Sequence, residues 1–279
     1  MGHTYVDGIR EVTDEEVAFY RDHGWVNMPA LISDDLAAQL LARAKEVMGD
    51  DAGTHTAREG IDSATNPWQD RHNIVEDDAL FASLGLHPQM GRNAQRLLRR
   101  EIGVLLYNNL LAVKIGEQQT TGAPASGETG FHQDGAGYPM DRNGVATFWI
   151  ALDDLSADMG TVQYVDRSHV LGSLGNMNRG GYIQGKLHDV YPELRTMTLT
   201  ESPSLSAGDA AAHQMFTVHY APPNRGDRPR WAFLVRYLAA DTVYTGAISG
   251  SQATIRKIER AGLQPGDLFV GDEYPLVAT

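Results

Sequence analysis

The chain has 279 residues and a formal net charge of −13, which opposes binding to nucleic acid or to an anionic membrane, because either partner needs a basic face. It contains no cysteine, which excludes disulfides, thiolate metal sites and a cysteine nucleophile, so a metal must be held by His, Asp or Glu. No window approaches the roughly 18 apolar residues of a membrane span, and no signal peptide is visible, so a soluble, cytoplasmic protein is expected.

The first hundred residues have the patterns of helices. Thr13 begins a capping box before EEVAFYRDHGWV, which predicts a helix there. Ser33 can cap DDLAAQLLARAKEVM, whose apolar residues recur at helical spacing, and Pro88 can begin a further helix. This predicted helical part covers residues 12–100 and includes a loop over residues 49–79.

Beyond Gly103, short runs rich in β-branched and aromatic residues are bounded by Gly, Pro, Asn and Asp. The predicted strands are VLLYNNLLAVKIG, GVATFWIALDDL, GTVQYVDRSH, LRTMTLTESP, GDAAAHQMFTVHYAPPN and RWAFLVRYLAAD. Strands at this spacing, without helical patterns between them, favour a sandwich or barrel over a parallel α/β sheet. We predict a mostly β jelly-roll (double-stranded β-helix, cupin-like) core over residues 103–240, with N-terminal helices packed on it, in a single domain of residues 1–279. Residues 166–195 form a Gly/Asn-rich stretch long enough for a lid or a binding loop.

The stretch ETGFHQDGAGYP carries a candidate metal-binding pair, His132 and Asp134. Side chains alternate faces in an extended chain, so residues two apart point the same way. An imidazole and a carboxylate at this spacing can therefore bind one cation from one side. The pattern is common by chance, and it predicts a metal site only if a third ligand comes from elsewhere in the chain.

Two of the ten histidines are candidates for the third ligand. His213 and His219 lie six residues apart in one predicted strand, so both face the same side if that strand is regular. Two histidines and one carboxylate with open coordination positions are typical of non-haem Fe(II) oxygenases. Arg230, eleven residues after His219, begins the last predicted strand, and an arginine inside a barrel is costly unless an anion pairs with it.

Together these motifs resemble the phytanoyl-CoA dioxygenase (PhyH) superfamily of Fe(II)/2-oxoglutarate oxygenases. GDAAAHQMFTVHYAPPNRGDRPR has the family's Gly-Asp pair, two histidines, Pro/Asn turn and arginine in the usual order. VTDEEVAFYRDHGWVNMPALISDDLA is similar to the family's N-terminal helices, and GTVQYVDRSHVLG resembles the segment after its metal strand. The resemblance extends over residues 12–240, and it is stronger to bacterial enzymes that tailor secondary metabolites, as in antibiotic biosynthesis, than to acyl-CoA hydroxylases.

The resemblance implies that His132, Asp134 and His219 bind Fe(II). It also implies that Arg230 pairs with the far carboxylate of the co-substrate 2-oxoglutarate. Thr129 stands where the family often places a polar contact to the metal-bound end of that co-substrate.

Two further residues are candidate contacts of the co-substrate. Trp149 stands where an aromatic side chain commonly walls the family's pocket, although core packing explains it equally well. Lys114 ends a predicted strand and faces either the barrel interior or solvent. Relatives often carry Ser or Thr two residues after the distal histidine, where this chain has Ala221, which leaves the second anchor of 2-oxoglutarate unassigned.

The implied reaction is oxidation of an unactivated C–H bond of a small molecule with dioxygen, by hydroxylation, cyclisation, desaturation or epimerisation. Asp134 opposes halogenation, since halogenases of this class have a small residue at that position. The candidates for substrate contact are Gln133, Tyr138, Gln163, Arg179 and Tyr182. The alternatives are a cupin-like metalloenzyme without 2-oxoglutarate and a non-catalytic jelly-roll binding domain. The oligomeric state stays open.

Overall fold

The computed structural model describes residues 5–49, 68–117, 127–174, 187–247, 249 and 251–279. Its helices are α1 (Asp14–His23), α2 (Asp34–Met48), α3 (Ile74–Asp77), α4 (Ala79–Gly85), α5 (Pro88–Leu98), α6 (Leu187–Val190) and α7 (Gln252–Ala261). Its strands are β1 (Tyr5–Val6), β2 (Ile9–Arg10), β3 (Trp25–Met28), β4 (Trp68–His72), β5 (Val104–Lys114), β6 (Thr129–His132), β7 (Val145–Ala151), β8 (Gln163–Tyr164), β9 (Ala210–Gln214), β10 (His219–Ala221), β11 (Arg230–Ala239) and β12 (Leu276–Ala278). Within these ranges no helix is long and apolar enough to cross a membrane.

Two antiparallel sheets of unequal size form the β core. The large sheet has the order β12-β5-β11-β7-β9-β3, and β4 pairs with β5. The small sheet has the order β6-β10-β8. This arrangement confirms the predicted mostly β, jelly-roll class, with helices packed on the core.

The three central strands of the large sheet, β5, β7 and β11, are buried along almost their whole length. Alternate residues point to opposite faces of a sheet, and here both faces are covered. The outer face packs against the N-terminal helices through the buried residues Leu111, Val113, Phe148, Ile150, Trp231, Phe233, Tyr20, Leu40, Phe81 and Met90. The inner face faces the small sheet.

The inner face consists of cross-strand rows that run from β5 across β11 to β7. The rows, read from one end, are Lys114 and Arg230, then Ala112, Ala232 and Ala151, then Leu110, Leu234 and Trp149, and finally Asn108, Arg236 and Thr147. Charged or polar rows therefore lie at both ends, and two apolar rows lie between them.

The helix starts follow the local sequence signals. Thr13 and Glu16 form both bonds of the predicted capping box, Ser33 caps α2, and Pro88 begins α5. Side-chain caps satisfy backbone N–H groups that a helix start leaves without partners. These three predictions are confirmed.

Two strands lie inside the region predicted to be helical, so that prediction was partly wrong. The helix predicted through Val26 ends at His23, because Gly24 adopts the left-handed conformation (φ 83°) and its N–H bonds back to Tyr20. The next residues pair with β9 as strand β3. Likewise, β4 and α3 lie within the predicted loop 49–79, where residues 50–67 are outside the described part of the chain.

The predicted strand GDAAAHQMFTVHYAPPN is two strands on different sheets. Between β9 and β10 the chain turns, with the N–H of Thr217 bonded to the carbonyl of Gln214 and its hydroxyl to the carbonyl of Gly24. His213 therefore lies on the large sheet and His219 on the small one, so the premise of a single regular strand was wrong.

The predicted strand LRTMTLTESP is also wrong. It begins in a 3-10 turn (Pro192–Thr196) and continues as extended chain with a single bridge at Leu199. Pro203 cannot donate to a strand ladder, which is consistent with the lack of a continuous ladder there.

The segment beyond the predicted core folds back onto the β core. Helix α7 begins at its cap Ser251, and β12 pairs with the start of β5. Tyr274 and Phe269 from this segment pack with Tyr107 of β5. No helix or strand was predicted in this segment.

Candidate metal centre and adjoining cavity

Three side chains with metal-binding atoms meet where the small sheet faces the large one. His132 ends β6 and His219 begins β10, and these two residues are paired across the strands. Gln133 is extended (φ −116°, ψ 132°), so Asp134 points to the same side as His132. One ligand atom from each of the three residues lies within 4.8 Å of the other two.

Both imidazoles are oriented by the backbone. Nδ1 of His132 lies 2.7 Å from the carbonyl oxygen of Gly130, and Nδ1 of His219 lies 3.0 Å from that of Thr217. A carbonyl can only accept, so in each ring Nδ1 carries the proton and donates, which leaves the Nε2 lone pair available. Burial also lowers the pKa of both rings, and that of His219 falls well below its usual value with help from the neighbouring histidines. Both rings are therefore neutral, as a metal ligand must be.

The two oxygens of Asp134 have different surroundings. Oδ1 lies 4.0 Å from Nε2 of His132 and 3.9 Å from Nε2 of His219. Oδ2 accepts from the hydroxyl of Thr147 at 2.9 Å and from Nε of Arg236 at 3.2 Å. Burial alone would raise the pKa of Asp134, but the charge of Arg236 and the contacts of nearby histidines hold it well below its usual range. The carboxylate is therefore ionised.

This donor set fits Fe(II). Two neutral imidazoles and one carboxylate on one side of a metal are the facial set of non-haem iron oxygenases. The three side chains lie in an enclosed place, and their free donor atoms converge.

His213 takes a different position from the other two histidines. Its Nε2 lies 3.3 Å from Oδ2 of Asp134, the oxygen that Thr147 and Arg236 also contact, and its Nδ1 lies 3.4 Å from the hydroxyl of Tyr164. The arrangement favours His219 over His213 as the third ligand, and it makes His213 a support of the carboxylate.

Two buried cations stand side by side at the other end of the inner face. Lys114 and Arg230 are register partners, and both side chains are almost completely buried. The ammonium of Lys114 donates to the carbonyls of Ala221 and Pro222, and the guanidinium of Arg230 lies 5.1 Å from the centre of the Trp149 ring. Burial, followed by the charge of Arg230, lowers the pKa of Lys114 to about 6. An anion at this place would offset the cost of burying Arg230 and would favour the protonated form of Lys114.

A cavity of about 190 Å³ opens directly onto His132 and Asp134. Three tyrosines line it, Tyr107, Tyr138 and Tyr274, and so does Lys257 of α7. Its remaining lining residues are His72, Asn73, Asn108, Leu110, Gly137, Arg236, Ser251, Ala253 and Thr254. The cavity is thus partly aromatic, with cations at two places on its wall.

The candidates for substrate contact are distributed differently. Tyr138 lines the cavity. Gln133 is fully buried elsewhere, where its amide bonds to the backbone of Gly172, Leu174 and Phe216. The remaining candidates are Gln163, which bonds to the carbonyl of Thr200 and does not line this cavity, and Arg179 and Tyr182, which lie outside the described residues.

Thr129 begins β6 and is connected to the buried basic pair through its partner on β10. It is the register partner of Ala221, whose carbonyl accepts from Lys114. Thr129 and His132 are the first and last residues of β6.

Several residues of the site were not found by sequence reasoning. Thr147 and Arg236 contact Asp134 only because strands β7 and β11 are adjacent. Lys257 and Tyr274 reach the cavity from the C-terminal segment. Charge gave one usable signal, since Arg236 is a second arginine on a strand that is otherwise apolar.

Comparison with known proteins places these features in context. A profile described as phytanoyl-CoA dioxygenase (PhyH) matches residues 20–232. A protein of Stutzerimonas stutzeri named as a probable alpha-ketoglutarate-dependent hypophosphite dioxygenase is 24% identical over 233 residues, a match that covers 81% of this chain and 79% of that protein. Alpha-ketoglutarate is the same compound as 2-oxoglutarate.

Solved structures share the fold over nearly the whole chain. The non-haem alpha-ketoglutarate-dependent carbocyclase SnoK from nogalamycin biosynthesis is 26% identical, with a TM-score of 0.77 and coverage of 99% of this chain and 100% of that chain. The epimerase SnoN, in complex with Fe³⁺, alpha-ketoglutarate and nogalamycin RO, is 24% identical, with a TM-score of 0.76 and coverage of 95% and 98%.

Proposed function

The chain belongs to the phytanoyl-CoA dioxygenase (PhyH) family and is a 2-oxoglutarate-dependent dioxygenase, and we propose that His132, Asp134 and His219 hold its Fe(II). The observation that carries this assignment is the convergence of Nε2 of both rings with Oδ1 of the carboxylate, while every opposite atom of the three side chains is hydrogen-bonded. Ligands fixed in this way need little rearrangement to accept a metal.

The far carboxylate of 2-oxoglutarate binds at the buried cations, with Arg230 as its main partner and Lys114 beside it. The guanidinium lies over Trp149, which is two residues from Thr147 on the same face of β7. Two residues of a strand span about 7 Å, a length that suits a short dicarboxylate lying between the anchor and the metal. The rows of Ala232 and Leu234, past which the Arg230 side chain reaches to lie over Trp149, are apolar and cannot compete for its carboxylates.

Lys114 is our candidate for the second anchor that Ala221 cannot provide. Its ammonium is fully buried, pairs in register with Arg230, and bonds to the carbonyl of Ala221 itself. Bound 2-oxoglutarate would favour the charged form of Lys114, because an anion nearby raises the pKa of an amine.

The substrate occupies the cavity beside the metal ligands. Iron with 2-oxoglutarate and dioxygen supplies oxidation of an unactivated C–H bond, and the protein decides which bond is presented. Tyr107, Tyr138 and Tyr274 provide flat aromatic walls, and Lys257, which pairs with Glu76 at 3.4 Å, also lines the cavity. These walls suit a small molecule with an aromatic or conjugated part, and the likeness to SnoK and SnoN supports a natural product.

Anaerobic addition of Fe(II) and 2-oxoglutarate to the apo-protein tests the assignment. We expect a weak visible charge-transfer band from chelation of the metal by the keto acid. His219→Ala should abolish the band, whereas the matched variant His213→Ala should retain it, because His213 contacts Oδ2 of Asp134 and the hydroxyl of Tyr164 rather than offering a converging ligand atom. No band with the wild type would contradict the proposed function, and loss of the band in His213→Ala alone would show that the wrong histidine was chosen.

A further inference from the structure

A row of polar side chains crosses the inner face of the large sheet next to Asp134. Arg236 is paired in register with Asn108 on one side and Thr147 on the other, and Thr147 is paired with His213. The register of β11 shifts immediately after Arg236, and such bulges often direct a side chain toward an active site.

This row concentrates its hydrogen bonds on a single oxygen. Oδ2 of Asp134 accepts from the hydroxyl of Thr147 at 2.9 Å and from Nε of Arg236 at 3.2 Å, and it lies 3.3 Å from Nε2 of His213. A carboxylate oxygen offers about two lone-pair sites, so Oδ2 is fully engaged. Oδ1 instead lies on the side of His132 and His219.

Arg236 is the strongest of the three contacts. Its side chain is 12% exposed and that of Asp134 is 9% exposed, so the pair is shielded from water. The guanidinium is also held from its other end by Asn108, at 3.1 Å. A charge-assisted bond in an enclosed place is stronger than a bond from a neutral hydroxyl, so Thr147 has the smaller share.

We infer that Arg236 is a positioning residue that keeps Oδ2 of Asp134 away from the metal, so that the carboxylate coordinates through Oδ1 alone. A carboxylate bound through both oxygens would take one more coordination position. The pairing with Arg236 therefore preserves the positions that the co-substrate and dioxygen need. This inference rests on the proposed function of the same site.

The consequence differs from that of a residue that only supports the fold. Without Arg236 the carboxylate keeps only the weaker contacts of Thr147 and His213, so it can turn and chelate more readily, and the metal should bind at least as tightly as before. The position for a diatomic ligand should meanwhile be occupied by Oδ2. A structural role predicts the opposite, a parallel loss of stability and metal affinity.

The test uses Arg236→Gln, which keeps much of the side-chain length and removes the charge. Titration calorimetry of the apo-protein with Ni(II) should show affinity equal to or higher than that of the wild type. Anaerobic titration of the Fe(II)–2-oxoglutarate complex with nitric oxide, a stable substitute for dioxygen, should show an affinity about tenfold lower, corresponding to about 1.4 kcal/mol. A fall in Ni(II) affinity, or unchanged affinity for nitric oxide, would overturn the inference.

Thr147→Val is the second variant, because it removes one neutral donor at nearly constant shape. It should lower the affinity for nitric oxide in the same direction by a smaller factor, which decides the question even if Arg236→Gln does not fold. Failure of the proposed function is seen separately, since the wild type would then bind no 2-oxoglutarate. In that case a crystal structure of the Ni(II)-loaded Arg236→Gln protein still reports whether one or both oxygens of Asp134 contact the metal.

Discussion

Arg236 and Arg230 lie six residues apart on the same face of β11, and they differ in the charge of the side chains beside them. Burial would lower the pKa of Arg236, but the carboxylate of Asp134 more than offsets burial and raises it. Burial lowers the pKa of Arg230 to about 9, and the neighbouring side chain on β5 is the ammonium of Lys114. The first arginine is matched by a carboxylate of the protein itself, whereas the second stands in a positive place that suits an incoming anion.

The difference explains how one sheet face can carry two functions. At the Arg236 end the protein supplies its own negative charge, the carboxylate of Asp134 that we propose as a metal ligand. At the Arg230 end two buried basic side chains, Arg230 and Lys114, lie side by side, an arrangement that would suit a dicarboxylate. The apolar rows between them, with Leu234 and Ala232 on β11, separate the two charged ends.

Removing the carboxylate at the Arg236 end has the largest expected effect. Asp134→Ala should abolish Fe(II) binding, since one of three ligands is lost. It should also lower the free energy of unfolding by about 3–5 kcal/mol, because a buried cation loses its partner. Metal titration and urea unfolding measure the two effects. Wild-type metal affinity in this variant would exclude Asp134 as a ligand.

Removing the guanidinium of Arg230 should weaken the binding of 2-oxoglutarate and leave metal binding unchanged. Arg230→Gln should weaken 2-oxoglutarate binding roughly a hundredfold, within the 2–5 kcal/mol typical of a truncated buried charge pair. Ni(II) affinity should stay at the wild-type value. If the affinities for 2-oxoglutarate and for Ni(II) both fall in Arg230→Gln, the proposed separation of roles between Arg230 and Arg236 is wrong.

The burial of Lys114 makes the free energy of unfolding depend on pH. Its pKa is about 6 in the folded protein, against 10.5 for an ordinary lysine. Between these values the unfolded chain binds more protons, so the free energy of unfolding should rise with pH, by up to about 1.4 kcal/mol per unit. Lys114→Met should remove this part of the slope in urea unfolding of the apo-protein.

Bound 2-oxoglutarate provides the matching control for Lys114. An anion beside the ammonium raises its pKa, so saturation with 2-oxoglutarate should flatten the slope of the metal-loaded wild type and leave that of Lys114→Met unchanged. An equal slope in the wild type and in Lys114→Met, without ligand, would contradict the buried position of this amine.

Trp149 has the smallest expected effect. A cation over an aromatic ring contributes about 0.5–1 kcal/mol, and up to about 2 when shielded from water. Trp149→Leu should therefore weaken 2-oxoglutarate binding by roughly two- to fivefold, as Arg230 loses its platform. Trp149→Phe keeps a ring and should lose less. An unchanged affinity in Trp149→Leu would assign this residue to core packing alone.

The sequence was most informative where the chemistry is local. His132 and Asp134 are two residues apart, and an extended Gln133 is enough to bring them to one side. The capping signals of Thr13 and Ser33 are equally local, and both were confirmed. For the third ligand, sequence spacing alone could not distinguish His213 from His219. The expectation that both face the same side assumed one regular strand, and the turn at Thr217 divides that strand in two.

The residues that sequence reasoning missed depend on contacts between distant parts of the chain. Arg236 and Thr147 meet Asp134 only through the register of β7 and β11. Lys257 reaches the cavity because α7 folds back from beyond the predicted core. Strand β3 formed where a helix was predicted, since pairing with β9 outweighs local helix propensity after Gly24.

A crystal structure of the protein with Ni(II) and 2-oxoglutarate tests the central claim most directly. We predict that the metal lies between His132, His219 and Oδ1 of Asp134, and that the far carboxylate of 2-oxoglutarate pairs with Arg230 beside Lys114. A metal bound through His213 instead of His219, or a 2-oxoglutarate whose far carboxylate lies away from Arg230, would contradict the account.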